Sequence, residues 1–393
     1  MVHYTYLIIG GGMTAAAAVE GIREIDQQGS IGMFSAENNP PYDRPPLTKG
    51  LWKGKPIEKI WRKAEDQGVN YHLGEKVELL DPQNKRITND QGEIYTYDKL
   101  LIATGGTPRK LPFGGDLIQY YRTVDDYQYL RHLTGQGRKF AVIGGGFIGS
   151  EITAALKMNR EEVVMAFPEL GIGGLVFPGD LSRFLNDYYR EQGVDVLAGQ
   201  LVTGVKPKDG RLALETKDSQ EILVDHVVAG IGIVPNTELA RNAGIDVSNG
   251  IIVDEYLCTN HADIYAAGDV AYFFNPTLNM RLRVEHEDNA NTMGRVAGYN
   301  MAGQPTHYHH LPFFYSDLFD LGYEAVGDIN SQLETVIDWQ EPYQKGVIYY
   351  LKEGRVRGVL LWNVWDQVPA ARELIAETGP FTVADLRGRL PRS

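Results

Sequence analysis

The sequence predicts an α/β protein: two three-layer units with parallel sheets, followed by a C-terminal α+β domain. Three observations carry this. The stretches "YTYLIIGGGMTAAAAVEGI" and "RKFAVIGGGFIGSEITAAL" each run from an apolar strand through a glycine loop into a helix of small residues. Each copy is followed by a second strand that ends in an acid, "IGMFSAE" and "EVVMAFPE". From "THYHHLPFF" onward the pattern changes to strands followed by one helix, "VPAARELIAETG".

The two glycine loops are the strongest feature. Gly10, Gly12 and Ala15 in the first, with Met13 and Thr14 between, occupy the G-x-G-x-x-G/A positions of a dinucleotide-binding turn. Gly144, Gly146 and Gly149 do so in the second, with Gly145, Phe147 and Ile148 between. The first glycine permits a tight turn, the second lets backbone approach a pyrophosphate, and the third position lets helix pack on strand. The N–H groups at the helix start then face the diphosphate. Glu37 and Glu169 stand about 20 residues further on, where a carboxylate holds an adenosine ribose. Two complete copies imply two Rossmann-like folds and two bound dinucleotides.

Composition sets the bounds. With 393 residues the chain is too long for one core, and its 44 glycines make it loop-rich. A net charge of −13 argues against non-specific binding to nucleic acid or to a membrane surface. The single cysteine, Cys258, excludes an intrachain disulfide and a CxxC site. No stretch is apolar and long enough to span a bilayer, and the first strand leaves no room for a charged leader, so a cytoplasmic location is expected. His307, His309 and His310 lack an acid or cysteine at ligand spacing, so no metal is expected. The aromatics of "GVIYYLKEGRVRGVLLWNVW" alternate as in a half-buried hairpin turning at Glu353-Gly354.

The stretch "PPYDRPPLTKG", residues 40–50, fits neither helix nor central strand. Its four prolines remove four donors and fix φ, so it reads as a stiff, extended arm delivering Lys49 to one place.

Between the copies, "LLIATGGTPR" breaks from a strand into a turn at Thr104 and Gly105; later, "DIYAAGDVA" ends a strand in Gly268-Asp269. With these, the chain resembles the FAD-dependent pyridine-nucleotide oxidoreductases. The resemblance implies that the first fold holds FAD, that the second holds NAD(H), and that Asp269 holds the flavin's ribityl and phosphate chain. Many members relay electrons through a cysteine pair after the first acid. Here that region, "NNPPYDRPPLTKGLW", has none, so disulfide chemistry is excluded and Cys258 reads as a packed apolar residue.

The proline arm instead resembles the "PY-x-RPPLSK" arm of ferredoxin and rubredoxin reductases and of the apoptosis-inducing factor flavoproteins. By resemblance Arg44 reaches the FAD pyrophosphate, Lys49 the isoalloxazine edge, and Glu151 is the counter-ion of Lys49. A fixed ammonium there stabilises negative charge developing on the flavin. The likeness to apoptosis-inducing factor covers nearly the whole chain, through "VEHEDNANTMGRVAGYNMAG", "FFYSDLFDLGYEAVGDI" and "FPELGIGG". It implies that Phe147, His286 and Tyr315 line the nicotinamide and flavin faces, and that Glu285 and Glu324 hold the carboxamide side. It also puts Gly232 beside the nucleotide, and Arg109 and Val77 in support of FAD. Three departures stand out: Tyr315 replaces a tryptophan, Leu175 replaces a lysine near the nucleotide, and the short linker "DWQEPYQKG" replaces a long regulatory insertion.

The expected boundaries are an FAD domain over 1–112 and 233–304, an NAD domain over 113–232, and a C-terminal domain over 305–393. The expected activity is an NADH oxidoreductase that uses FAD and passes electrons to a one-electron acceptor: ferredoxin, rubredoxin or a quinone-like molecule. The alternative is a redox-responsive binding protein whose NADH-reduced flavin controls dimerisation or partner contacts; a homodimer stays open in both readings.

Overall fold

The structure, a computed structural model, describes residues 2–62 and 67–390. Eight helices run through them: α1 (Met13–Ile25), α2 (Val124–Leu133), α3 (Phe147–Met158), α4 (Gly179–Glu191), α5 (Glu238–Asn242), α6 (Glu287–Met301), α7 (Val368–Ala376) and α8 (Val383–Leu386). The chain divides into two compact units: Met1–Arg44, Pro56–Thr107 and Val234–Pro312 form one, and Pro45–Lys55, Pro108–Ile233 and Phe313–Ser393 the other.

In the first unit, strand Val2–Ile9 lies between Ile31–Ser35 and Ile94–Ile102, parallel to both, with Ile8 opposite Met33 and Leu101. Val69–Leu73 extends one side, and Ile264–Ala266 pairs in parallel with Ile94–Ile102. Leu7 and Ile8 are both fully buried, as continuous apolar strands of a parallel sheet require. α1 lies against α6 at very close range. A β-carbon on Gly294 would come within 2.4 Å of the Thr14 carbonyl, and one on Gly298 within 2.3 Å of that of Ala18. The small-residue run of α1 and the glycines of α6 are therefore one packing solution.

The second unit repeats the plan. Asp195–Ala198, Glu162–Phe167, Lys139–Ile143, His226–Ala229 and Ile118–Tyr120 form a five-stranded parallel sheet. The duplication reaches single backbone bonds. Gly10 N–H donates to Phe34 O at 2.8 Å and Gly144 N–H to Ala166 O at 2.9 Å. Gly74 N–H donates to Glu37 O at 3.0 Å and Gly199 N–H to Glu169 O at 2.8 Å.

The C-terminal part of this unit is an antiparallel sheet ordered Phe313–Leu318, Leu321–Gly327, Arg355–Trp362, Lys345–Lys352, Glu334–Glu341. Its core stacks Tyr323 on Trp362, ring centroids 5.7 Å apart, with Phe177 edge-on to both. The hairpin turns at Glu353-Gly354, both at positive φ. Its strands are not half-buried. Residues 346–351 are all buried: Ile348 and Tyr350 pack into one cluster with Ile172, Phe177 and Leu181, and Tyr350 Oη donates to Val176 O at 2.9 Å. α7 covers the neighbouring strands, with the Ile375 Cδ1 only 3.0 Å from where a Gly327 β-carbon would sit.

Two local expectations are corrected. The short linker 338–346 is largely ladder: Asp338 pairs with Val347 and Trp339 with Gly346, and Tyr343 makes the turn at φ 60. Its polar side chains disguised a backbone that pairs. The arm is not extended either. Pro45–Leu47 forms a 3₁₀ turn, and Lys49 N–H, Leu51 N–H and Trp52 N–H continue it onto Pro46 O, Pro46 O and Lys49 O at 3.2, 3.1 and 3.1 Å. Proline at the start of a helical turn needs no donor and has its φ preset, so two prolines there nucleate the turn.

Candidate functional site

The two glycine loops have matching stereochemistry. Gly10 and Gly144 sit at φ +121° and +118°, and a β-carbon on either would clash, 2.1 Å from Ala103 O and 2.4 Å from Gly230 O. The middle glycines differ in kind. A β-carbon on Gly12 or on Gly146 would meet no heavy atom within 4 Å. These two residues are the N-caps of α1 and α3; neither helix has a side-chain cap or an acid in its first turn. By contrast α2 has a full capping box on Thr123 and Asp126. Two uncapped helix starts, each approached only by glycine, are what a diphosphate needs. The third positions diverge: Gly149 lies where a β-carbon would be 2.0 Å from Gly144 O, whereas Ala15 fits its own fully buried methyl.

Around the first loop, Glu37 accepts from Tyr42 Oη at 2.6 Å and from Arg44 Nη2 at 2.5 Å, and Arg44 Nη1 donates to Tyr42 Oη at 3.1 Å. Arg44 N–H donates to Met13 Sδ at 3.5 Å, and Arg62 holds Met13 O at 3.3 Å and Asp43 at 2.7 Å. Gly268, at φ +77°, lies against Thr14; Asp269 follows, and its carbonyl accepts from Arg283 Nη1 at 3.1 Å. Arg283 also binds Glu285 at 2.6 Å, and His286 is the N-cap of α6. The Val77 side chain packs into the apolar core of this unit, so only its backbone carries polar atoms. Thr104 and Gly105 are clamped by Asn236, through Thr104 Oγ1 to Asn236 O at 2.8 Å, Asn236 Nδ2 to Thr104 O at 2.8 Å, and Asn236 N–H to Gly105 O at 2.9 Å.

In the second unit, the segment after Glu169 folds onto the second loop, with Gly173 N–H donating to Gly145 O at 2.8 Å. Arg109 N–H donates to Gly232 O at 2.9 Å, and Gly232 stands at φ +88°. Phe147 opens α3 edge-on to Phe314, 5.1 Å away. Tyr315 and Glu324 are cross-strand partners. Burial, then Asp366, pushes the Glu324 carboxyl above the usual carboxylate range, and its Oε2 is buried without a hydrogen-bond partner.

The centre of this unit's chemistry is Glu151, one turn into α3 and 4% exposed. Lys49 Nζ reaches its Oε1 at 2.6 Å, and the same ammonium lies 5.3 Å from the Tyr315 ring centroid. Thr48 Oγ1 donates to Oε2 at 2.5 Å and Ser316 Oγ to Oε1 at 2.5 Å. The arm is anchored beneath: Trp52 Nε1 and Tyr121 Oη both donate to Leu47 O, at 2.8 and 2.5 Å. Sequence reasoning missed Thr48, Ser316 and Asn236. Each adjoins or answers a residue it did name, but a hydroxyl or amide by itself carries no motif. Burial pushes the Cys258 thiol up to about 11, so it is no nucleophile at neutral pH. Of the histidines, His310 Nε2 meets Asp288 at 2.6 Å and His307 packs on Tyr256.

The sequence profile of the pyridine nucleotide-disulphide oxidoreductases matches residues 4–294, and that of the C-terminal domain of mitochondrion-associated apoptosis-inducing factor matches 297–341 and 337–377. Apoptosis-inducing factor 1, mitochondrial, of Dictyostelium discoideum is 35% identical over 427 residues, covering 98% of this chain and 80% of that protein. The anthranilate 1,2-dioxygenase system ferredoxin–NAD(+) reductase component of Burkholderia cepacia is 32% identical, covering 94% of each. Putidaredoxin reductase, solved in covalent complex with putidaredoxin, superposes with a TM-score of 0.89 at 27% identity, covering 96% of this chain and 94% of that one. The chain belongs to the pyridine nucleotide-disulphide oxidoreductase family and is an oxidoreductase that uses FAD and NAD(H).

Proposed function

We propose that the protein takes a hydride from NADH onto FAD and hands the electrons singly to a ferredoxin or rubredoxin, with no redox-active disulfide. The observation that carries this reading is the buried Lys49–Glu151 pair, set on the helix that starts at the second glycine loop. Bound FAD supplies acceptance of a hydride and release of electrons one at a time.

The first loop, Gly10 to Ala15, receives the FAD diphosphate at the start of α1. Glu37 takes the adenosine ribose, Arg44 the pyrophosphate and Asp269 the flavin chain. Val77, Thr104, Gly105 and Arg109 support them. The second loop, Gly144 to Gly149, receives NADH, whose ribose hydroxyls bind Glu169. By the family resemblance Glu285, His286, Tyr315, Glu324, Phe147 and Gly232 serve the nicotinamide, and Lys49 stabilises the negative charge that arrives with the hydride. With Cys258 the only cysteine, electrons leave to an external acceptor. The relatives named for ferredoxin–NAD(+) and putidaredoxin reductases support that class of acceptor. No helix among the described residues is long and apolar enough to cross a membrane, and we place the protein in the cytoplasm.

The test is anaerobic NADH-driven reduction of a supplied [2Fe–2S] ferredoxin and of a rubredoxin, followed by their visible spectra. Multiple turnovers with either support the reading. A yellow protein that NADH reduces, but that turns over dyes alone, sinks it in favour of the redox-responsive binding protein, for which NADH-dependent dimerisation in sedimentation is the companion measurement.

A further inference from the structure

We infer that Thr48 and Ser316 are positioning residues, whose hydroxyls hold Glu151 as a buried anion and thereby keep Lys49 charged and aimed. The inference rests on the role proposed for Lys49. It starts from an accounting of lone pairs. A carboxylate this deeply buried is tolerated only when its charge is paired and its oxygens are hydrogen-bonded. Lys49 alone serves one oxygen, Oε1. Ser316 Oγ adds a second donor to Oε1, and Thr48 Oγ1 supplies the donor on Oε2. Both contacts are 2.5 Å, the short range of a hydroxyl donating to a charged acceptor.

The three donors come from two places, and their acceptor from a third. Thr48 and Lys49 lie in the arm, Ser316 in the strand Phe313–Leu318, and Glu151 on α3. Side chains alternate along a strand, so Ser316 points inward while its neighbour Tyr315 stays 37% exposed, beneath the Lys49 ammonium. One carboxylate thus ties together the nucleotide helix, the lysine and the aromatic strand. The other titratable groups facing Glu151 are Tyr189 of α4 and Tyr323 of the C-terminal sheet. Burial raises both phenols far above their ordinary range, and the charge of Glu151 raises them further. Both stay neutral, so neither puts a charge beside Glu151, and Tyr189 Oη already donates to Ser150 O at 3.1 Å.

Without the hydroxyls the pair has a neutral alternative: the Nζ proton moves to Oε1, leaving an amine and a carboxylic acid. In a site of low polarity that form gains on the ion pair as donors are removed. The amine would no longer stabilise charge on the flavin.

The test uses the FAD-loaded enzyme and five variants: Thr48→Val with Ser316→Ala, each of the two single variants, Thr48→Ser as conservative rescue, and Lys49→Ala. Stopped-flow reduction by NADH is followed across pH, with potentiometric titration of the flavin. The double variant should keep one FAD per chain, reduce on the order of tenfold more slowly, lower the midpoint potential, and add a step to the pH profile; Thr48→Ser should restore wild-type behaviour. If Lys49→Ala is slow but the double variant matches wild type in rate, potential and pH profile, the inference fails and the role of Lys49 stands. If Lys49→Ala also matches wild type, both fail. Should the double variant not fold, Thr48→Val alone is read against the same outcomes.

Discussion

Lys49 is 12% exposed and its partner Glu151 4%, so the two ends of the pair respond unequally to truncation. Lys49→Ala strands a buried carboxylate with two hydroxyls, and removing one partner of a buried ion pair costs about 3–5 kcal/mol. It should also lower the flavin midpoint by some tens of millivolts, since about 30 mV corresponds to 1.4 kcal/mol for a two-electron couple. Chemical denaturation and potentiometry measure these; an unchanged potential would place the lysine away from the flavin. Glu169 carries the choice of nucleotide. Its carboxylate suits two ribose hydroxyls and repels a 2′-phosphate, and the neighbouring residues 168–177 contain no lysine or arginine. NADH should therefore be preferred in kcat/KM, and Glu169→Ala should shrink that preference chiefly by raising KM for NADH. A clear NADPH preference in the wild type would overturn this.

The strand–glycine–helix elements separate folding from binding within three residues. A methyl at Gly10 would need both a disfavoured positive φ and space occupied by Ala103 O. A methyl at Gly12 meets nothing in the protein. Gly10→Ala should therefore cost about 2–3 kcal/mol of stability. Gly12→Ala should cost under about 1 kcal/mol yet yield a folded protein depleted of FAD. Gly146→Ala should keep FAD and lose NADH affinity. Thermal melts, flavin absorbance and NAD+ titration distinguish these outcomes. Equal loss of FAD from Gly12→Ala and Gly146→Ala would contradict the assignment of one nucleotide to each loop.

At the scale of the molecule, two compact units each carry one glycine loop. Hydrogen exchange should show FAD protecting the strands around residues 2–9 and 31–35, and NAD+ protecting those around 139–143 and 162–167. At a hundred times its Kd, either ligand stabilises the state it binds by about 2.7 kcal/mol. Protection of one region by both ligands would contradict the division.

The sequence by itself determined the α/β class, the duplicated loops and the acids that follow them, because these are local: a turn glycine, a helix of small residues and a strand period lie within one short window. It also determined that no disulfide relay exists, since Cys258 has no second cysteine to pair with. The tertiary structure alone decided how the arm folds, because two prolines favour an extended chain and a first helical turn alike, and the anchoring of Leu47 by Trp52 and Tyr121 selects the turn. It alone decided that residues 338 and 339 join a ladder, and that Thr48 and Ser316 meet on Glu151. Those three residues are far apart in sequence, and a hydroxyl has no pattern that announces its acceptor. Only the packing of arm, helix and strand around one buried charge gives it a role.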